Sequence, residues 1–100
     1  MGAARLKPER LAEKLRQIRD ALGLSQSEMH SRLDVGESIP FKRISDYELG
    51  NREPTLMILL QYARAANVAL EVLADDELDL PVKLPSRTKS EGVRRQRRKR

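Results

Sequence analysis

The chain turns on residues 25–56, SQSEMHSRLDVGESIPFKRISDYELGNREPTL. Ser25 and Glu28 stand at the Ser-x-x-Glu spacing of a capping box. In that motif the hydroxyl accepts from the amide of residue 28 and the carboxylate reaches back to the amide of residue 25. The pattern predicts a short helix over 26–33 with Met29 and Leu33 inward. Asp34-Val35-Gly36 ends it, and the segment to Ser38 is a polar turn. Pro40 opens a second short helix that runs to Leu49, where Gly50-Asn51 stops it. Ile44 and Tyr47 share its buried side. Pro54-Thr55 restarts the chain, with Thr55 as an N-cap.

Upstream, residues 8–22 read as a helix. Pro8 suits a first helical position, and Leu11, Leu15, Ile18 and Leu22 recur at helical spacing until Gly23. Downstream, residues 56–66 carry Leu56, Leu59, Leu60 and Ala63 on one face. Residues 69–74 fit a short fifth helix or an edge strand, because Val68, Leu70 and Val72 alternate; helix is the favoured reading. The acidic Asp75-Asp76-Glu77-Leu78-Asp79 follows, then Pro81 and Pro85 break regular structure. The fold class expected is all-α, with four to five short helices in a domain over 8–74. Residues 75–100 are expected to form an acidic, then basic, flexible tail, too polar to order itself.

Composition sets the outer limits. One hundred residues suffice for one domain. Phe41, Tyr47 and Tyr62 are the only aromatics, so the core rests on aliphatic side chains. Without cysteine there are no disulfides or thiolate zinc sites, and the single histidine, His30, cannot build a multi-histidine metal centre. Paired carboxylates and a phosphate-cradling glycine loop are both missing, so no catalysis, cofactor or metal is expected. The apolar run Leu56–Leu60 falls far short of the ~18 residues of a membrane span, and the chain opens without an apolar leader. A cytoplasmic protein is expected. The net charge is +5, yet residues 83–100 alone hold nine basic residues and one acid, leaving −3 for residues 1–82. The basic character belongs to the tail.

Two stretches resemble a known family. Leu24-Ser25-Gln26-Ser27-Glu28-Met29 and the run Ile44-Ser45-Asp46-Tyr47-Glu48-Leu49-Gly50-Asn51-Arg52-Glu53-Pro54-Thr55-Leu56 look like the phage-repressor (Cro/C1, or XRE) helix-turn-helix domain. The family's later Leu-Leu-x-Leu-Ala-x-Ala element reappears as Leu59-Leu60-Gln61-Tyr62-Ala63-Arg64-Ala65. The resemblance covers roughly residues 9–73 and implies a lambda-repressor-like fold. Two features depart from it. The turn from Asp34 to Arg43 is about four residues longer than the family's, and His30 stands where a small alanine is usual. A longer turn makes room for the ring, so the departures explain each other.

The resemblance implies that the third helix enters the major groove and that its early residues meet base edges. This maps the reading positions onto Phe41, Lys42, Ser45 and Asp46, with Arg43 beside them. Lys42 and Arg43 can donate to guanine, and Asp46 can accept from cytosine N4. Phe41 either packs on a thymine methyl or staples the long turn onto the core. Asp46 has a second role open to it, as the partner of Lys42 at four residues' distance. Gln26 matches a glutamine that contacts phosphate and braces the recognition helix, and Arg52 faces the backbone by the same analogy. Glu48 is structural, since an acid against phosphate would repel it. His30 is a packed structural residue.

Double-stranded DNA is thus the expected partner, bound by a nucleoid-associated transcriptional regulator acting as a homodimer whose contact surface lies at 68–80. The basic run Arg94, Arg95, Arg97, Arg98, Lys99 and Arg100 is expected to follow phosphates and release counterions. Two other readings compete. One is an antitoxin-like module that docks a toxin through its acidic stretch or tail, with secondary DNA binding. The other is RNA binding through the basic tail.

Overall fold

Gly23 and Ser25 make the first corner. Gly23 takes φ 70°, the left-handed conformation that glycine adopts without a Cβ clash. Two residues on, the Ser25 hydroxyl accepts from the Glu28 amide at 3.1 Å while the Ser25 amide donates to the Glu28 carboxylate at 2.8 Å. The expected capping box is formed. In the computed structural model, which describes residues 7–85, the helices are α1 (Leu11–Leu22), α2 (Gln26–Leu33), α3 (Arg43–Leu49), α4 (Leu56–Ala66) and α5 (Leu70–Ala74). A single 3₁₀ turn, Gly36–Ser38, lies between α2 and α3. No strand occurs among the described residues, so the fold is all-α and residues 70–74 are helix. Of the basic segment expected over 83–100, residues 86–100 lie outside the described residues.

Three expectations need correction. Helix α1 starts at Leu11, not Pro8, with Arg10 as its N-cap residue, and the Asp76 carboxylate accepts from the amides of Glu9 and Arg10 at 2.8 and 3.0 Å. Helix α3 starts at Arg43, not Pro40. The amides of Arg43, Ile44 and Ser45 bond carbonyls three residues back, a tight turn that precedes α-helical geometry. On α4 the inward side is Ile58, Leu59, Tyr62, Ala63 and Ala66, while Leu56 is 66% exposed and Leu60 half-buried. Tyr62 decides this rotation. The side chain is completely buried, and turning it inward carries Leu56 out.

The core gathers Leu15, Ile18, Met29, Leu33, Ile44 and Leu73, none of which retains accessible surface. One ion pair crosses its edge. Arg19 on α1 donates from Nε to Glu48 Oε2 at 2.6 Å and from Nη2 to Oε1 at 3.0 Å, while Nη1 bonds the Leu24 carbonyl at 3.0 Å. The Glu48 side chain is 4% exposed and that of Arg19 14%. Bonding to Glu48 holds the Arg19 guanidinium above its ordinary pKa. The Tyr62 hydroxyl is buried without a hydrogen-bond partner, and burial pushes its pKa up.

Residues 75–85 form a strap across α1. Asp76 supplies the cap to Glu9 and Arg10, and Arg10 donates to the Asp76 carbonyl at 2.8 Å and to Asp79 at 2.6 Å. Lys14, fully buried, donates from Nζ to the carbonyls of Val72 and Asp75 at 2.8 Å each. Leu80 and Leu84 lean on the core, and Asn67 reaches the Pro85 carbonyl at 3.3 Å. The surface expected for dimerisation at 68–80 is partly engaged by the core, and Val68, Leu70, Val72 and Leu80 are half-buried. Leu73 is buried, and Val68, Leu70 and Leu80 pack against the chain's own core.

Two predictions come from these contacts. Removing one partner of a buried ion pair strands the other charge, so Arg19→Ala should destabilise the domain by ~3–5 kcal/mol, read from the urea midpoint. The Asp76 carboxyl is held below its ordinary value of 3.8 by the Glu9 and Arg10 amides. A depressed folded-state pKa gives stability that is present above the unfolded value and lost as pH falls through the folded one. Melting of wild type and Asp76→Asn should therefore differ most above pH ~4 and converge in stronger acid.

Candidate nucleic-acid interface

Helix α3 has two unlike sides because seven residues wind through less than two full turns. Ile44 and Tyr47 are buried where α3 packs on α1 and α2, and Glu48 is held by Arg19. These contacts leave the other side outward. Lys42 is exposed just before the helix, Ser45 and Asp46 are half-buried along it, and Leu49 is 69% exposed at its end. Lys42, Asp46 and Leu49 lie at spacings of four and three, one face of a helix. Arg43 is half-buried on the flank.

Phe41 is 56% exposed, so it does not staple the turn onto the core. No salt bridge joins Asp46 to Lys42 among the described residues, which leaves both charges on the outer face. Burial raises the Tyr47 hydroxyl pKa on the inner face.

Gln26, the first residue of α2, donates from its side-chain amide to Glu48 Oε1 at 3.4 Å. The amide thus joins the start of α2 to the back of α3, and Glu48 bonds both Gln26 and Arg19. The reading of Glu48 as structural agrees with this. Arg19 was not found by the sequence reading. It stands 29 residues from Glu48, a separation that no local spacing rule connects.

Gly50 closes α3 at φ 80°, and the amides of Asn51 and Arg52 both donate to the Asp46 carbonyl, at 2.9 and 3.3 Å. Arg52 is exposed in this corner. A cleft of about 240 Å³ separates the corner from the start of α1, and Lys7, Tyr47, Arg52 and Pro54 line it. Lys7 is a second cation on the same cleft, and the sequence reading did not single it out.

His30 donates from Nε2 to the Ile39 carbonyl at 2.8 Å, since a carbonyl can only accept. The half-buried ring is structural, as expected, and it fastens the long turn to α2. The structure therefore brings Phe41, Lys42, Arg43, Ser45 and Asp46 onto or beside α3, with Gln26 and Arg52 at neighbouring helix ends. Arg94, Arg95, Arg97, Arg98, Lys99 and Arg100 lie outside the described residues. No helix among the described residues is long and apolar enough to cross a membrane.

A family model described as Helix-turn-helix matches residues 15–73, from within α1 to within α5. Comparisons with curated proteins and with solved structures found no match. The chain belongs to the Cro/C1-type (XRE) helix-turn-helix family of DNA-binding regulators.

Proposed function

We propose that this protein is a sequence-specific transcriptional regulator that reads double-stranded DNA with α3 in the major groove. The observation that carries the reading is the division of α3. Its inner side is fastened by Ile44, Tyr47 and Glu48, while Lys42 and Leu49 are exposed and Ser45 and Asp46 half-buried on the other side. Lys42 and Arg43 donate to guanine O6 and N7, and Asp46 accepts from cytosine N4. Gln26 and Arg52 hold the backbone at either end. The sequence reading did not name Leu49, which extends the outer face with an apolar contact.

The DNA-binding unit in this reading spans 8–74, closed by the strap to residue 85. A domain of this size covers few base pairs, so two copies share a two-fold site. The half-buried apolar side chains of 68–80 are the candidate contact surface between them. The regulator works on nucleoid DNA in the cytoplasm. Selection from random duplex DNA tests the reading directly: a two-fold consensus supports it, and no enrichment overturns it.

On a selected site, Lys42→Ala or Arg43→Ala should cost ~1–3 kcal/mol of binding and relax preference at one base position. Equal losses on cognate and random duplexes would assign the side chain to phosphate instead. The tail makes a separate prediction from its charge. Deleting residues 94–100 should weaken cognate and random DNA together, and each lost phosphate contact should flatten the plot of log affinity against log salt by ~0.9. Titration of both chains at several salt concentrations measures the change.

A further inference from the structure

The connection between α2 and α3, residues 34–42, ends in an exposed aromatic ring on a backbone that does not yield. Ser38 bonds the Val35 carbonyl through its amide at 3.1 Å and through its hydroxyl at 2.6 Å. The Ile39 side chain is buried in the core, while its carbonyl accepts from His30 Nε2. Pro40 has its φ set by its ring. The Pro40 carbonyl accepts from Arg43 at 2.9 Å and the Phe41 carbonyl from Ile44 at 3.1 Å. The chain is thus held on both sides of Phe41, yet the ring is 56% exposed and stands beside Lys42.

An exposed phenylalanine on a loose loop is an ordinary surface residue. With its backbone held at the start of α3, the ring is an apolar probe whose docking has only two side-chain torsions left to order. In the major groove the apolar group on a base edge is the pyrimidine C5 methyl.

We propose that residues 39–42 form a methyl-reading tip, in which Phe41 packs on the C5 methyl of one pyrimidine and His30 is the positioning residue that holds the tip through Ile39. This rests on the reading of α3 as the groove helix. It predicts that the protein senses a methyl group on either pyrimidine at that position, so it binds 5-methylcytosine more tightly than cytosine there.

Two base pairs of probes isolate the contact, because thymine and uracil, like 5-methylcytosine and cytosine, differ only by that methyl. On the duplex selected by the full chain, uracil would replace each thymine in turn. One position should weaken binding about fourfold, the effect of one buried methyl group. At that same position 5-methylcytosine should bind about fourfold more tightly than cytosine.

Phe41→Ala should bring both ratios to one. His30→Ala should bring them close to one, and His30→Gln, which keeps an N–H donor, should restore them. Circular dichroism melts would confirm that each variant is folded. Ratios unchanged in folded Phe41→Ala would overturn the methyl contact. Ratios unchanged in folded His30→Ala would overturn the positioning role. A wild-type chain that selects no duplex at all would instead remove the reading of the function on which the tip depends.

Discussion

The pair of Arg19 and Glu48 is the constraint on which the outer face of α3 depends. A helix of seven residues has little stability of its own, since nucleation is costly and few hydrogen bonds follow it. Helix α3 is therefore ordered by what its inner side touches. Ile44 and Tyr47 supply apolar burial, which has no direction. The two-pronged bond from the Arg19 guanidinium does have one, because a planar fork meets a carboxylate in a fixed orientation. Burial thus holds α3 against α1, and the ion pair sets how the helix is rolled. The same carboxylate accepts from Gln26, so the start of α2 is registered against the back of α3.

At the other end of α1 a different problem is solved. Its first amides lack a side-chain cap from the residues that precede them, since the residue before the helix, Arg10, makes no such bond. Asp76, from the far end of the described chain, instead accepts from the amides of Glu9 and Arg10 just ahead of the helix and so fixes the residues that lead into it. Lys14 then satisfies the last carbonyls around α5, which allows a charged group to sit in a fully buried position because its protons are taken up. The strap and the core are mutually dependent. The acidic residues that look like a solvated run in sequence are, at positions 76 and 79, the fastening of the domain.

The outer side of α3 shows the complementary arrangement. Polar groups in its middle, Ser45 and Asp46, are flanked by apolar side chains at the ends, Phe41 and Leu49. That order matches what the major groove presents, donors and acceptors interrupted by methyl groups.

Much of this was legible in the residues. Ser25 with Glu28, Gly23, Gly50 and Thr55 act over three or four residues, a range at which local hydrogen bonding and backbone freedom decide the outcome, and the helix ends they mark are where the sequence placed them, α1 and α3 starts excepted. Helical class and the order of elements followed from the same short-range rules and from the family resemblance. Tertiary structure decided the rest. It rotated α4 so that Tyr62 faces in and Leu56 out, exposed Phe41, paired Arg19 with Glu48 and brought Asp76 to α1. Each of these joins elements far apart in sequence or turns on how closely helices pack, and neither spacing nor composition encodes which distant carboxylate a given guanidinium or amide will meet.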